Sequence, residues 1–211
     1  MFDLSCGLRL RAFRPPPASD LDDILSMYNN VHLAPFISES FPVPQGQKVK
    51  DTMKNAIETN AEMFCMVETI PKAAQQDPQA ETNSENLPEF VGVTALFTHG
   101  DRGHRHSGFA IGLMPKFWGK GYGTEITKFI MEHAFVQLNM HRISLQVYEG
   151  NERAIALYEK VGNAQGTMGE WEVDGHNQYG DSGRGVEGVT EALRVNEDDI
   201  EVLEVPDQWY T

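Results

Sequence analysis

The chain has 211 residues, with 17 Lys and Arg against 31 Asp and Glu, for a formal net charge of −14. That balance excludes a chain built mainly to neutralise nucleic-acid phosphates, and no run approaches the roughly 18 consecutive apolar residues that cross a bilayer. At 40% hydrophobic and 23% charged residues, the composition is globular, and the length suits one domain, residues 1–211, with a sizeable core.

Leu8, Leu10 and Ala12 alternate with Arg9, Arg11 and Phe13, a half-buried strand that stops at Pro15-Pro16-Pro17. A helix follows, with Asp20 as its cap and Asp23 three positions on, and with Leu21, Ile24, Leu25 and Tyr28 at helical spacing. His32 to Gln47, with Pro35, Pro42, Pro44 and Gly46, reads as a loop. Lys48 to about Asn60 predicts a second amphipathic helix, and Glu62 to Ile70 a strand. Residues 71–88 hold no aromatic and almost no branched aliphatic side chain, so they cannot offset the entropy of ordering. They are expected as an exposed, flexible insertion in a hairpin.

Phe90 to Thr98 and Ser107 to Met114 predict the next two strands. Gly121 to Met140 predicts a long helix, with Ile126, Ile130, Ala134 and Leu138 in one row beside Phe129 and Val136. Arg142 to Tyr148 alternates as a strand, and Glu152 to Val161 reads as a short helix ended by Gly162. Strands alternate with helices in the second half and follow one another in the middle, which indicates an α/β (α+β) mixed sheet covered by helices.

The charge is uneven. Residues 1–70 carry −3, residues 71–90 another −3, residues 91–162 carry +2, and residues 163–211 carry −10. Cys6 and Cys65 belong to no CxxC pair and are expected as reduced thiols in a soluble cytoplasmic protein.

Two segments carry chemistry. In the first, a strand ends at Pro115, and Gly119-Lys120-Gly121-Tyr122-Gly123-Thr124 then leads at once into the long helix. Glycines permit positive φ and close approach of a ligand to the backbone, and the helix start offers unpaired N–H groups to a phosphate. Lys116 and Lys120 add positive charge. The spacing is neither that of a Walker A loop nor the G-x-G-x-x-G of a dinucleotide fold. In the second, Asn151 stands where a strand hands over to a helix, placed either to cap that helix or to bind a ligand. Tyr158 lies two turns further on along the same face, past Ala154 and Ile155.

Together, Phe117-Trp118-Gly119-Lys120-Gly121-Tyr122-Gly123-Thr124-Glu125 and Asn151-Glu152-Arg153-Ala154-Ile155-Ala156-Leu157-Tyr158 resemble the GNAT acetyltransferase superfamily. The wording is closest to the subgroup of ribosomal-protein N-terminal and polyamine acetyltransferases. The resemblance implies a mostly antiparallel mixed sheet flanked by about four helices. It also implies acetyl-coenzyme A as co-substrate and a primary amine as acceptor, on a peptide N-terminus, a polyamine or another small molecule. The backbone of Ile111, Gly112 and Leu113 would pair with the pantetheine, and the segment from Trp118 through Gly119, Lys120, Gly121, Tyr122 and Gly123 to Thr124 would hold the pyrophosphate. Asn151 and Ala154 would hold the pantetheine arm. Tyr158, with a reference pKa of about 10, would protonate the departing thiolate, and a backbone N–H near Leu113 would meet the oxyanion. Neither nucleic acid, membrane nor metal is implied, and a monomer or homodimer is expected.

There are departures from the family pattern. Trp118 stands where the family usually has Arg or Gln, leaving Lys116 or Lys120 to supply the phosphate charge. Ser107 to Leu113 holds none of the carboxylates that many members use as general base. His32, Glu39, Glu68, Glu149 or a water are the alternatives for that role. Past Gly162, residues 163–186 read as a polar insertion, followed by strands at 187–194 and 200–205. A rival register places the first strand at Gly169 to Val173 and the second after Tyr179. His104-Arg105-His106 lacks a third metal ligand nearby, and the nine methionines form no stripe. The missing strand carboxylate also leaves room for a non-catalytic acyl-coenzyme A sensor as the alternative to an enzyme. The acidic final quarter mildly favours a cationic acceptor.

Overall fold

The alternation along Leu8, Arg9, Leu10 and Arg11 places the leucines on a buried face, and the same period of two builds the rest of a seven-stranded sheet. The structure, a computed structural model, describes residues 1–38, 43–71, 87–98, 100–148, 150–164 and 170–176. In chain order the strands are β1 (Phe2–Asp3), β2 (Leu8–Ala12), β3 (Ala61–Thr69), β4 (Phe90–Thr98), β5 (His106–Leu113), β6 (Arg142–Tyr148) and β7 (Glu170–His176). They lie side by side in that same order. The pairs from β1 to β5 are antiparallel, whereas β5 with β6 and β6 with β7 are parallel. Helices α1 (Asp20–Tyr28), α2 (Gln47–Asn60), α3 (Tyr122–Glu132) and α4 (Glu152–Ala164) cover the sheet.

Two apolar clusters separate the layers. Leu21 and Ile24 of α1 and Met53 and Ile57 of α2 pack with Phe64 and Met66 of β3. On the opposite face Ile126 and Ile130 of α3 and Tyr158 of α4 pack on Val67, Phe109, Ile143, Leu145 and Val147. Ile126 and Ile130 are fully buried, and each contributes about 2 kcal/mol of transfer free energy.

Four expectations change. Asp20 is the first residue of α1 and does not cap it; Ser19 stands at the cap, and no side chain bonds the helix start. The Asp20 carboxylate is fully buried, taking Arg11 at 2.6 and 2.9 Å and the Arg14 N–H at 2.8 Å. Arg11 also binds Glu68 at 2.7 Å, so one ion cluster ties β2, α1 and β3 together. The long third helix runs regularly only to Glu132, and a π-helical turn, His133–Gln137, follows. That wider turn shifts the phase of the apolar row, and Val136 and Leu138 face solvent, not the core. The last helix continues past Gly162 to Ala164.

At the C-terminus, β7 falls where the rival register begins, while 187–194 and 200–205 lie outside the described residues. So do 72–86 of the expected insertion, although β3 and β4 form the antiparallel pair that flanks it. Residues 2 and 3 add a short edge strand that the sequence reading did not anticipate.

Candidate active site

The site begins where two parallel strands part. The β4–β5 ladder runs on to Gly92 opposite Leu113, but the β5–β6 ladder ends at Phe109 opposite Leu145. Beyond that pair, Ala110 to Leu113 have no partner strand on the β6 side among the described residues. The Met114 N–H donates to the Val91 carbonyl at 2.8 Å, which fixes the alternation: Ala110 and Gly112 turn their backbone groups to β4, and Ile111 and Leu113 turn theirs to the gap. The Trp118 indole N–H donates to the Leu113 carbonyl at 2.7 Å. Both backbone groups of Ile111 and the N–H of Leu113 remain facing the gap.

The strand leads into a single 3-10 turn, Pro115–Phe117, whose Phe117 ring is buried. Gly119 and Gly121 follow at φ 73° and 81°, a left-handed conformation that costs a side-chain-bearing residue about 1–2 kcal/mol. Helix α3 then starts at Tyr122 with no side-chain cap. The N–H groups of its first turn are therefore available to an anion, with the helix dipole behind them. A Cβ on Gly123 would stand 2.7 Å from Leu157 Cδ1, so the glycine lets α3 lie close against α4.

Charge at this loop comes from a residue the sequence reading did not single out. Lys116 is ion-paired with Glu89 and lies over the Phe117 ring, and Lys120 lies over the same ring at 5.1 Å. Neither lines the cleft. Arg153, in the first turn of α4, does, with its guanidinium 5.3 Å from the Trp118 ring centroid. The signal was present, because Arg153 follows the Asn151 turn by two residues; what was missing was the knowledge that this turn faces the glycine loop.

Asn151 caps α4, its Oδ1 accepting the Ala154 N–H at 3.3 Å, and it also lines the cleft with Ala154 and Tyr158. The two roles that the sequence left open are thus both available to this one side chain. Tyr158 is 8% exposed, with its ring edge-on to Phe109 at 6.4 Å. Burial pushes its phenol up to about 12. The cleft that these residues line has a volume of about 1280 Å³.

Its other wall is formed by α1, the segment after it, and α2: Tyr28, His32, Phe36 and Met53 line it, with Phe64 from β3. The floor is the small face Gly108, Ala110 and Gly112 with Ser144, Gln146 and Tyr148. Helix α1 comes so close that a Cβ on Gly112 would meet Met27 Cε at 2.7 Å. Of the alternatives for the general base, His32 is exposed and lines this wall. Glu68 is held by Arg11 and does not reach the cleft. Glu39 and Glu149 lie outside the described residues. Among the described residues no three His, Cys, Asp or Glu side chains gather as a metal site, and no helix is long and apolar enough to cross a membrane.

A family model described as the acetyltransferase (GNAT) domain matches residues 9–163. The chain belongs to the GNAT acetyltransferase family. It is 27% identical over 159 residues to the spermidine N(1)-acetyltransferase of Vibrio cholerae, covering 75% of this chain and 80% of that one. A 59-residue stretch is 39% identical to the spermidine N(1)-acetyltransferase of Escherichia coli K12, covering 28% and 32% of the two chains. The crystal structure of the Vibrio cholerae spermidine N-acetyltransferase in complex with CoA and spermine matches with a TM-score of 0.55 at 26% identity, over 74% of this chain and 80% of that one. The GNAT chain is an acetyl-CoA-dependent N-acetyltransferase, which sets the non-catalytic alternative aside.

Within that GNAT frame, the structure brings Ile111, Gly112, Leu113, Trp118, Gly119, Gly121, Tyr122, Gly123, Thr124, Asn151, Ala154 and Tyr158 to one cleft. Lys120 belongs to the same loop with its side chain turned onto Phe117.

Proposed function

We propose that this acetyltransferase acetylates a primary amine of a polyamine, with Tyr158 completing the transfer. The observation that carries the reading is the unpaired edge of β5 at Ile111 and the Leu113 N–H, which leads through the glycine turn to an uncapped helix start and shares one cleft with the buried Tyr158. An extended amide-bearing chain such as pantetheine satisfies a strand edge with its own amides, much as an added strand does. Its pyrophosphate then falls at the Gly119–Thr124 turn, where N–H groups, the helix dipole and Arg153 all favour negative charge. Asn151 holds the arm between these two points.

The reaction needs an unprotonated amine, a polarised thioester carbonyl and a protonated leaving sulfur. The Ile111 N–H is the first donor past the end of the β5–β6 ladder and is placed to receive the carbonyl oxygen as charge builds. Tyr158 faces the sulfur. At about 12 its pKa stands some 3.5 units above the reference thiol value of about 8.5, so outright donation would cost about 5 kcal/mol. Tyr158 therefore acts as a hydrogen-bond donor to the sulfur until the C–S bond breaks, and its proton moves as the acylated nitrogen gives one up in return.

The polyamine comes from the relatives, which are named for spermidine, and the acceptor wall is compatible with it. Tyr28, Phe36, Phe64 and Tyr148 line the cleft, and cations lie favourably over aromatic faces. The test is thiol release with spermidine, spermine, a neutral-bodied alkylamine and N-terminal peptides in parallel. Spermidine is expected to turn over fastest, with a rate that falls as salt is added. A peptide that outpaces every polyamine would overturn the acceptor assignment.

Arg153→Ala is expected to weaken coenzyme A binding by about 10-fold or more, since a hydrogen bond to a charged group contributes roughly 1.5–3 kcal/mol. Calorimetric titration with coenzyme A reads this directly. An unchanged affinity would return the phosphate charge to Lys116 or Lys120.

A further inference from the structure

We propose that His106 and Ser144 form the proton-accepting pair for the incoming amine, the role for which β5 offers no carboxylate. The inference rests on the acetyltransfer reading above. His106 Nε2 and Ser144 Oγ are 3.0 Å apart, and both side chains line the active-site cleft on the sheet face that carries Gly108, Ala110 and Gly112. In register, Ser144 stands opposite Gly108, two residues beyond His106. The imidazole therefore leans along β5 toward the gap, over a position where glycine leaves it room.

The pair sits just short of the parting of the strands. Ser144 precedes Leu145, the last residue of the β5–β6 ladder, and Gly108 is three residues from Ile111. At about 3.3 Å per residue that is roughly 10 Å, a span that two or three water molecules bridge at about 2.8 Å per hydrogen bond. With Ser144 donating its hydroxyl proton to unprotonated Nε2, its oxygen lone pairs are left toward the cleft, a relay into which a proton enters at Oγ and ends on the ring.

The step balances. A protonated amine loses one proton through water and Ser144 to His106. The freed lone pair forms the N–C bond as the C–S bond breaks, and its electrons leave on sulfur. Tyr158 protonates the sulfur and is restored by the second nitrogen proton. The imidazolium then returns its proton to solvent.

Arg142 is the register partner of His106 on β6, and Glu170 and Glu172 occupy the β7 positions beside Arg142 and Ser144. On β4 the adjacent residue is Phe97, opposite Gly108, and His99, just past β4, lies outside the described residues. From the helical layer, Tyr28 and His32 face the same cleft.

His106→Gln keeps a hydrogen-bonding partner for Ser144 and cannot take up a proton. We expect it to lower kcat/KM for spermidine about 100-fold at neutral pH, to abolish an acid limb of the pH–rate profile, and to leave coenzyme A affinity unchanged. The deficit should shrink toward high pH, where the amine is already free. Ser144→Ala should lower kcat/KM as well and displace the midpoint of the limb. A His106→Gln enzyme with unaltered kcat/KM and limb, or one in which only His32→Gln removes the limb, overturns the proposal. Loss of coenzyme A binding in both His106→Gln and Ser144→Ala would also overturn it, by showing a structural role. No turnover by the unaltered protein with any amine would instead overturn the acetyltransfer reading, and this proposal with it.

Discussion

Replacing Tyr158 with Phe is expected to lower kcat by about 10²–10⁴-fold, the range in which a positioned proton donor contributes, while coenzyme A affinity stays within about twofold. The substitution removes one oxygen from a ring that is 8% exposed and packs edge-on against Phe109, so the apolar contacts survive. What disappears is the tyrosine hydroxyl that the proposed mechanism assigns to the departing sulfur. Because burial holds the phenol at about 12, the donor stays protonated through the physiological range, and no alkaline limb should appear in the wild-type profile below about pH 10. Thiol release from acetyl-coenzyme A measures the rate, and calorimetry the affinity. A Tyr158→Phe enzyme retaining a tenth or more of kcat would remove this side chain from the mechanism.

The second large effect concerns the fold that holds the cleft. Asp20→Ala is expected to destabilise the protein by about 3–5 kcal/mol, because breaking a buried pair strands the charge of its partner. Arg11 would keep Glu68 but lose both bonds to the buried carboxylate, and the Arg14 N–H would lose its acceptor. For a chain of this size the midpoint of thermal unfolding should fall by roughly 10 °C. Replacing Arg11, Asp20 and Glu68 together with Met, Leu and Met should recover much of the loss, since an apolar cluster leaves no partner charge stranded. A loss below about 1 kcal/mol in Asp20→Ala would show that the cluster is already hydrated.

The same carboxylate implies a pH dependence. Burial alone would push the Asp20 pKa up, but the bonds from Arg11 and the Arg14 N–H, with the two guanidinium charges, outweigh burial and hold it below the ordinary value. The unfolded chain then takes up this proton at a higher pH than the folded one. Stability from Asp20 is present above about pH 4 and is lost as pH falls through the folded value. Urea unfolding at pH 7 and pH 3 should show the wild type losing more stability than Asp20→Asn.

Residues close in sequence were legible wherever local physics decided them. Phe90–Thr98 and Arg142–Tyr148 fall where the sequence predicts them; in the second, Ile143, Leu145 and Val147 share one buried face, and a slip by one residue would expose them. The Gly119–Thr124 turn and Asn151 declared themselves because positive φ and helix starts demand particular residues. Asp20 misled for the same reason: an acidic residue before an apolar helical row is a good cap, and only the arrival of Arg11 from β2 and Glu68 from β3 explains its burial. The π turn after Glu132 was equally hidden, since its residues carry an ordinary helical pattern.

Family and fold class were thus legible in the sequence alone, because the glycine turn, the Asn151 helix start and the strand alternation each rest on spacing within one strand, turn or helix. The tertiary structure decided the rest: that β5 and β6 part after Phe109 and Leu145, that Arg153 and not Lys116 faces the glycine loop, and that His106 meets Ser144. These facts depend on segments dozens of residues apart being brought within a few ångströms, and hydrophobic periodicity says which face is buried but not which segment will lie against it.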